Sequence, residues 1–403
     1  MRVTPLFFIW VILAAGSAGA SLPGHCRSST VHVIERPVGS DSTATFPYRY
    51  SVSEGDGSAV ATIIFIPGGP GQTSMDAALS IPGEFSVVRT DPRGMGCNEF
   101  DGFQPQHLSS QAIAEDVLAL IRDLKPKRYF LYGISYGTVV ATLVTAQAER
   151  EGLTLPQAVV LEGTIGRAFR ADEYARGYFE RWKDVKSNLD ASTRDELTRE
   201  IPFGLSSKEW AAWLSSILIY GTLPSGVDYA SDELSALSSV DRRESLGMRV
   251  RRMVLPPTEA KKKIYREIIC RELVPDVRDV KFDFDFLSGE LVDTDQRLCS
   301  GIPFNRPYNS ADHKSSVPLF YFSGDRDPVT PRFQVETHFQ GQTAPRLWIE
   351  LADGGHQALA ANLADCSDGL WRAIGEVSET KLRTSLKSCA NGEKISIRGS
   401  LAR

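Results

Sequence analysis

Tyr129-Phe-Leu-Tyr-Gly133-Ile134-Ser135-Tyr136-Gly137-Thr-Val-Val is the stretch on which the reading of the whole chain turns. Tyr129–Tyr132 has the length and apolar character of a buried strand, and 138–150 reads as a helix. Between them, Gly133-Ile-Ser-Tyr-Gly137 fits the pattern G-x-S-x-G in the one context where that pattern carries chemistry, a strand before and a helix after. A turn this sharp strains the serine backbone and admits only small neighbours, a demand that both glycines meet. It presents the Ser135 hydroxyl at the C-terminal edge of a sheet, near the N-terminus of the following helix.

Outward from this turn, strand-like and helix-like segments alternate. Tyr48–Val52 alternates as a half-exposed strand does, and Ala61–Ile66 is a continuous apolar run that ends in Pro67-Gly-Gly-Pro-Gly71. Phe85–Thr90 is another strand, followed by Asp91-Pro-Arg-Gly-Met-Gly96. Ser109–Lys125 is amphipathic, with Ile113, Val117, Leu120, Ile121 and Leu124 on one side. After the strand Gln157–Leu161 the alternation stops near Gly163, and it resumes at Val317–Phe322. The residues between carry helical patterns, Asp172–Lys186, Lys208–Tyr220 and Thr258–Leu273. Arg346–Leu351 reads as a final strand and Cys366–Glu379 as a final helix. The expected organisation is a mostly parallel sheet with helices on both faces, in two core segments, 21–163 and 313–403, around a helical cap at 164–312.

A serine hydroxyl is a weak nucleophile until a base takes its proton. Of the six histidines, His25, His32 and His107 precede Ser135, His313 precedes the penultimate strand and His338 falls inside a helical pattern. His356 follows the last strand in the loop Asp353-Gly-Gly-His356, and the chain order serine, acid, histidine selects it as the base. The orienting acid belongs in Ser323-Gly-Asp325-Arg-Asp327-Pro-Val-Thr-Pro331. Asp325 is nearer the strand end, whereas Asp327 precedes a proline and is held extended; residue chemistry leaves both open. Donors for a developing oxyanion come from the N–H of Tyr136 and from Pro67–Gly71, where prolines lack an N–H and only Gly68 or Gly69 remains.

Residues 1–20 combine Arg2, an apolar run from Leu6 to Ala15 and an Ala18-Gly-Ala20 ending, the make-up of a secretory signal peptide. The six cysteines form no CxxC pair and have no zinc spacing, so metal is not expected. An even number in an exported chain favours disulfides. Short loops favour Cys270–Cys299 and Cys366–Cys389, which leaves Cys26–Cys97. A composition of 42% hydrophobic and 24% charged residues is globular, and a net charge of −5 without a long basic run argues against nucleic acid as a partner. No second apolar stretch reaches membrane length, so no stable membrane insertion is expected once the leader is removed.

Taken together, the motifs resemble the α/β-hydrolase peptidases of the prolyl iminopeptidase and tripeptidyl aminopeptidase group (family S33). The likeness lies in Pro67–Gly71, Asp91–Gly96, Gly133–Gly137 and Gly324–Pro331 with Gly355-His356. Ile66-Pro67 stands where many relatives have His or Asn before the proline, which looks closer to the exported tripeptidyl aminopeptidase branch. The resemblance implies an α/β-hydrolase fold, Ser135 as nucleophile, Asp327 as acid, His356 as base, and Gly69 with Tyr136 as the oxyanion hole. It also implies an aminopeptidase that needs no cofactor. Such an enzyme must hold a free ammonium; Glu162, at the end of the Gln157–Leu161 strand, and the cap acids Asp172 and Glu173 are the candidates. The cap is expected to close over the site and restrict it to small or unfolded peptides. A carboxylic-ester hydrolase on the same triad and a non-catalytic binding protein of the same fold are the rival readings.

Overall fold

The computed structural model describes residues 22–402 apart from 41, 58, 76–78, 171–172, 200, 254–257 and 276–298. The expected leader and the cap acid Asp172 lie outside the described residues. Nine strands form one sheet: β1 (Val31–Pro37), β2 (Thr45–Ser53), β3 (Ala61–Ile66), β4 (Phe85–Thr90), β5 (Tyr129–Ile134), β6 (Ala158–Glu162), β7 (Leu319–Gly324), β8 (Arg346–Leu351) and β9 (Ile395–Ser400). Their spatial order is β1-β2-β4-β3-β5-β6-β7-β8-β9. The central neighbours from β4 to β8 pair in parallel, while β1, β2 and β9 join antiparallel at the two sides.

Side chains alternate across a strand, so each central strand feeds two apolar layers. Ile64, Leu131, Val159, Leu161 and Tyr321 face one layer, with helices α1 (Ser110–Leu124) and α2 (Tyr136–Arg150). Ile63, Phe65, Phe130, Val160, Phe320 and Ile349 face the other, where Leu370, Trp371, Leu382 and Leu386 cover them. The α1 helix starts on Ser109, whose side chain accepts from the N–H of Ala112, and stops where Lys125 turns left-handed at φ 48°.

The residues between β6 and β7 do not all go the same way. Tyr178, Trp182, Trp210, Trp213, Leu214 and Leu234 close around a hydrophobic cluster of their own. Ile264, Ile268, Cys270, Leu273 and Tyr308 instead pack into the sheet's first layer. A cap in the packing sense is therefore built from the earlier part of 164–312.

Two C-terminal expectations are corrected. The helix expected over Cys366–Glu379 ends at Gly375, because Val377 adopts φ 49° and Ser378 caps a new helix over Glu379–Lys387 by accepting the N–H of Lys381. Arg346–Leu351 is not the last strand either, since β9 pairs with it through Ile397↔Ile349 and Ile395↔Leu351. The three disulfides join Cys26–Cys97, Cys270–Cys299 and Cys366–Cys389, the pairing expected from loop length.

Candidate active site

Parallel strands end at one edge of their sheet, and Ser135, Tyr136, Glu162, Asp327, His356 and the Gly68-Gly69 turn lie at or just beyond that edge. Ser135 follows β5 immediately, at φ 54° and ψ −123°, a backbone region that non-glycine residues avoid. Its N–H donates to the carbonyl of Glu162 at 2.7 Å, which ties the turn to the end of β6. The flanking glycines are required by contact: a Cβ on Gly133 would meet the Gly137 carbonyl, and one on Gly137 would meet the Ile66 carbonyl. Gly68, on the loop after β3, packs so closely that a Cβ there would sit 3.0 Å from Ser135 Cβ. Tyr136 opens α2, where the first N–H groups have no partner within the helix. Its phenol donates to Ser110 Oγ at 2.9 Å.

The loops after β7 and β8 bring Asp327 and His356 together. Asp327 Oδ2 lies 2.7 Å from His356 Nδ1, and both residues are buried, at 4% and 6% exposure. Asp327 Oδ1 accepts the N–H groups of Val329 (2.8 Å) and Thr330 (3.0 Å), and the Thr330 hydroxyl bonds Oδ2. That hydroxyl is also 3.1 Å from His356 Nδ1. Asp325, the other candidate, points elsewhere: its Oδ1 accepts the N–H of Asp353 at 2.7 Å. Gly163, directly after β6, sits so close to the imidazole that a Cβ there would come within 2.6 Å of His356 Cε1. Ser135 is thus tied to Glu162, whose neighbour Gly163 touches the ring of His356.

Burial alone disfavours the imidazolium of His356, but the charge and hydrogen bond of Asp327, with the charge of Glu162, outweigh it and raise its pKa above the ordinary 6.5. Burial also works against the Asp327 carboxylate, yet His356 and Thr330 together leave its pKa below the usual value. The pair is built to carry a positive ring beside a negative acid.

Of the three candidate ammonium ligands, the two that are described, Glu162 and Glu173, both have partners within the protein. Glu162 is 0% exposed; its Oε1 accepts the N–H groups of Leu359 (2.7 Å) and Ala360 (2.9 Å), and its Oε2 accepts the Tyr132 hydroxyl. Glu173 is gripped by Arg167 through Nη1 (2.9 Å) and Nη2 (2.7 Å) and accepts the N–H of Arg170 at 2.7 Å. Every oxygen of the two already accepts at least one hydrogen bond from within the protein.

Several supports have no counterpart in the sequence reading. Asp91 is buried, with Oδ1 accepting the N–H groups of Ser74 (2.6 Å) and Met75 (3.1 Å) and Oδ2 that of Cys97 (2.9 Å). Arg93 forks onto Asp116 at 2.7 and 2.6 Å. The motif Asp91–Gly96 is therefore a brace for the loop after β3. Asn362 is likewise buried, accepting the N–H of Gly355 at 3.0 Å and donating to the Thr222 carbonyl at 2.8 Å. Thr330 is a further support, bonding Asp327 through both its N–H and its hydroxyl, and its spacing of three residues from Asp327 is the signal that could have revealed it.

A strained serine at the head of α2, after β5, and an acid–histidine pair on the loops after β7 and β8 thus stand at the same edge of the sheet. The chain belongs to the α/β-hydrolase fold family, whose model its residues 61–362 match. No curated protein matches it. Among solved structures it is similar to a proline iminopeptidase from Mycobacterium smegmatis, at 13% identity and TM-score 0.41, covering 88% of this chain and 96% of that one. A proline iminopeptidase-related protein from Thermus thermophilus gives 16% identity and TM-score 0.44, with coverage of 90% and 99%. The RedJ thioesterase from Streptomyces coelicolor gives 16% and 0.41, with coverage of 80% and 93%.

Proposed function

We propose that this chain is an exported serine hydrolase, an aminopeptidase that releases N-terminal residues or short peptides through an acyl-enzyme. The observation that carries the acyl-transfer part is the 2.7 Å bond between His356 Nδ1 and Asp327 Oδ2, beside the strained turn of Ser135. Ser135 Oγ attacks the scissile carbonyl while His356 Nε2 accepts its proton, and Asp327 holds the ring in the tautomer that leaves Nε2 free. The N–H groups of Gly69 and Tyr136 receive the negative charge on the carbonyl oxygen. The histidine then returns its proton to the leaving amine, and water releases the acyl group by the same path in reverse.

The aminopeptidase assignment rests on the motif resemblance described above. Export is supported by the leader-like residues 1–20 and by three disulfides, and no described helix is long and apolar enough to cross a membrane. The engaged state of Glu162 and Glu173 favours a second reading, a carboxylic-ester hydrolase, which needs no ammonium ligand. A panel of aminoacyl and tripeptidyl anilides with free and blocked N-termini, run beside short-chain esters, separates the two. Cleavage of free anilides in preference to blocked ones is the expected result; ester turnover with no anilide cleavage overturns the peptidase assignment. A fluorophosphonate probe should label Ser135 in the folded protein, and failure to do so would favour a non-catalytic binding role.

A further inference from the structure

Glu162 is a buried acid for which the proposed reaction has no step. Its backbone carbonyl takes the N–H of Ser135 at 2.7 Å, while its side chain takes two N–H groups from the turn that follows His356. One residue therefore holds the nucleophile's turn by its main chain and the base's loop by its carboxylate. We propose that Glu162 is a positioning residue, an ionised clamp that fixes His356 against the Ser135 turn and stabilises the ring when it takes the serine proton. The proposal rests on the Ser135–His356–Asp327 reading.

The surroundings can hold an ionised group. Two backbone N–H groups donate to Oε1, and the Tyr132 hydroxyl, which can donate, lies on Oε2, so an ionised carboxylate would be met by three donors. Burial outweighs Tyr132, the N–H groups of Ala360 and Leu359 and the charge of His356, so the pKa of Glu162 stands above its ordinary value, and it is these donors and the imidazolium that favour the ionised form. The charged groups that act on the imidazole are Asp327, from the loop after β7, and Glu162, at the end of β6. On Glu162 itself, the titratable neighbours are Tyr132 from β5 and His356.

Glu162→Gln tests this, because its amide oxygen can accept the same two N–H groups while the charge is gone. In steady-state kinetics across pH, kcat is expected to fall on the order of tenfold, the scale of one charge-assisted hydrogen bond, with KM unchanged. The acid limb of kcat/KM is expected to move to lower pH, since the neutral amide no longer favours the imidazolium. Glu162→Asp keeps the charge on a shorter arm and serves if the amide variant does not fold; its kcat falls while the acid limb stays in place. Wild-type kcat and an unmoved pH profile in folded Glu162→Gln, or wild-type kcat in Glu162→Asp, would overturn the assignment. Failure of the underlying triad is seen separately, as hydrolysis surviving in Ser135→Ala.

Discussion

The main-chain N–H of His356 donates to the carbonyl of Ile219 at 2.7 Å, so the proposed base is anchored to the helical insertion as well as to its own loop. The N–H of Thr222 returns a bond to Asp353 at 2.7 Å, and Asn362 reaches the Thr222 carbonyl. Arg326 adds ion pairs to Asp228 of the insertion (3.4 Å) and to Asp353 (2.7 Å). These bonds tie the stretch of the insertion around Ile219–Asp228 to the loops after β7 and β8 that carry Asp327 and His356.

Asn362→Leu removes both side-chain bonds and leaves the Gly355 N–H and the Thr222 carbonyl unpaired. Each such loss costs about 1–3 kcal/mol. Thermal unfolding should shift down accordingly, and kcat should fall with it, measured on the fraction that remains folded.

The acid is decided by comparing Asp327→Asn with Asp325→Asn. Loss of charge at Asp327 is expected to lower kcat by on the order of 10⁴-fold. Asp325→Asn keeps an acceptor for the Asp353 N–H and should stay near wild type. The larger loss at Asp325 would reverse the roles, and near-complete loss in Glu162→Gln with an active Asp327→Asn would give the acid's part to Glu162.

Gly163→Ala introduces a Cβ at φ 59° and 2.6 Å from His356 Cε1. The strain should destabilise the protein by about 1–3 kcal/mol. Because the ring itself is displaced, kcat should fall more than KM rises. Kinetics on folded variant will show this, and an unchanged kcat would mean that the ring is not held where the turn needs it.

Activity should follow the raised pKa of His356. The base works as the neutral ring, so kcat/KM should climb through a pKa above 6.5 rather than at it. For stability the signs differ between partners. The raised histidine contributes fully below its unfolded value and loses that contribution as pH rises through the folded pKa. The depressed Asp327 contributes above its unfolded value, about 3.9, and loses it as pH falls through the folded one. Denaturation midpoints of wild type and Asp327→Asn should therefore diverge most between those two limits.

Replacing Cys26 and Cys97 by serine opens a loop whose ends are 71 residues apart. Chain entropy alone puts the cost at about 4 kcal/mol. Cys97 also donates its N–H to Asp91, so a shortfall in activity that exceeds the loss of folded protein would show the brace reaching the oxyanion loop. Chemical denaturation beside an ester assay measures both.

The central strands and the positions of Ser135 and His356 were legible because their signals are local: apolar runs, two glycines and chain order. Between Asp325 and Asp327 the residues alone left both open and the resemblance chose Asp327, since the two differ only in which way a short loop turns. The partners of Glu162 and Glu173 were not legible. Leu359 and Ala360 lie far along the chain from Glu162, and Arg167 differs from other surface arginines only in the fold around it. Strand β9 had its alternation, Ile395-Ser-Ile-Arg, but a short strand at a chain end declares itself only once a neighbour such as β8 is there to receive it.

Each disulfide closes within its own stretch of chain, Cys26–Cys97 before the serine, Cys270–Cys299 in the insertion and Cys366–Cys389 after the histidine. No covalent bridge spans from the half that bears Ser135 to the half that bears His356. A single protease nick between Gly221 and Cys270 would leave two pieces mated without any covalent tie, by the pairing of β6 with β7, by packing and by hydrogen bonds such as those of Glu162 to Leu359 and Ala360, each piece inert by itself. Switching such an enzyme off for good then requires prising the halves apart, and not the cut alone.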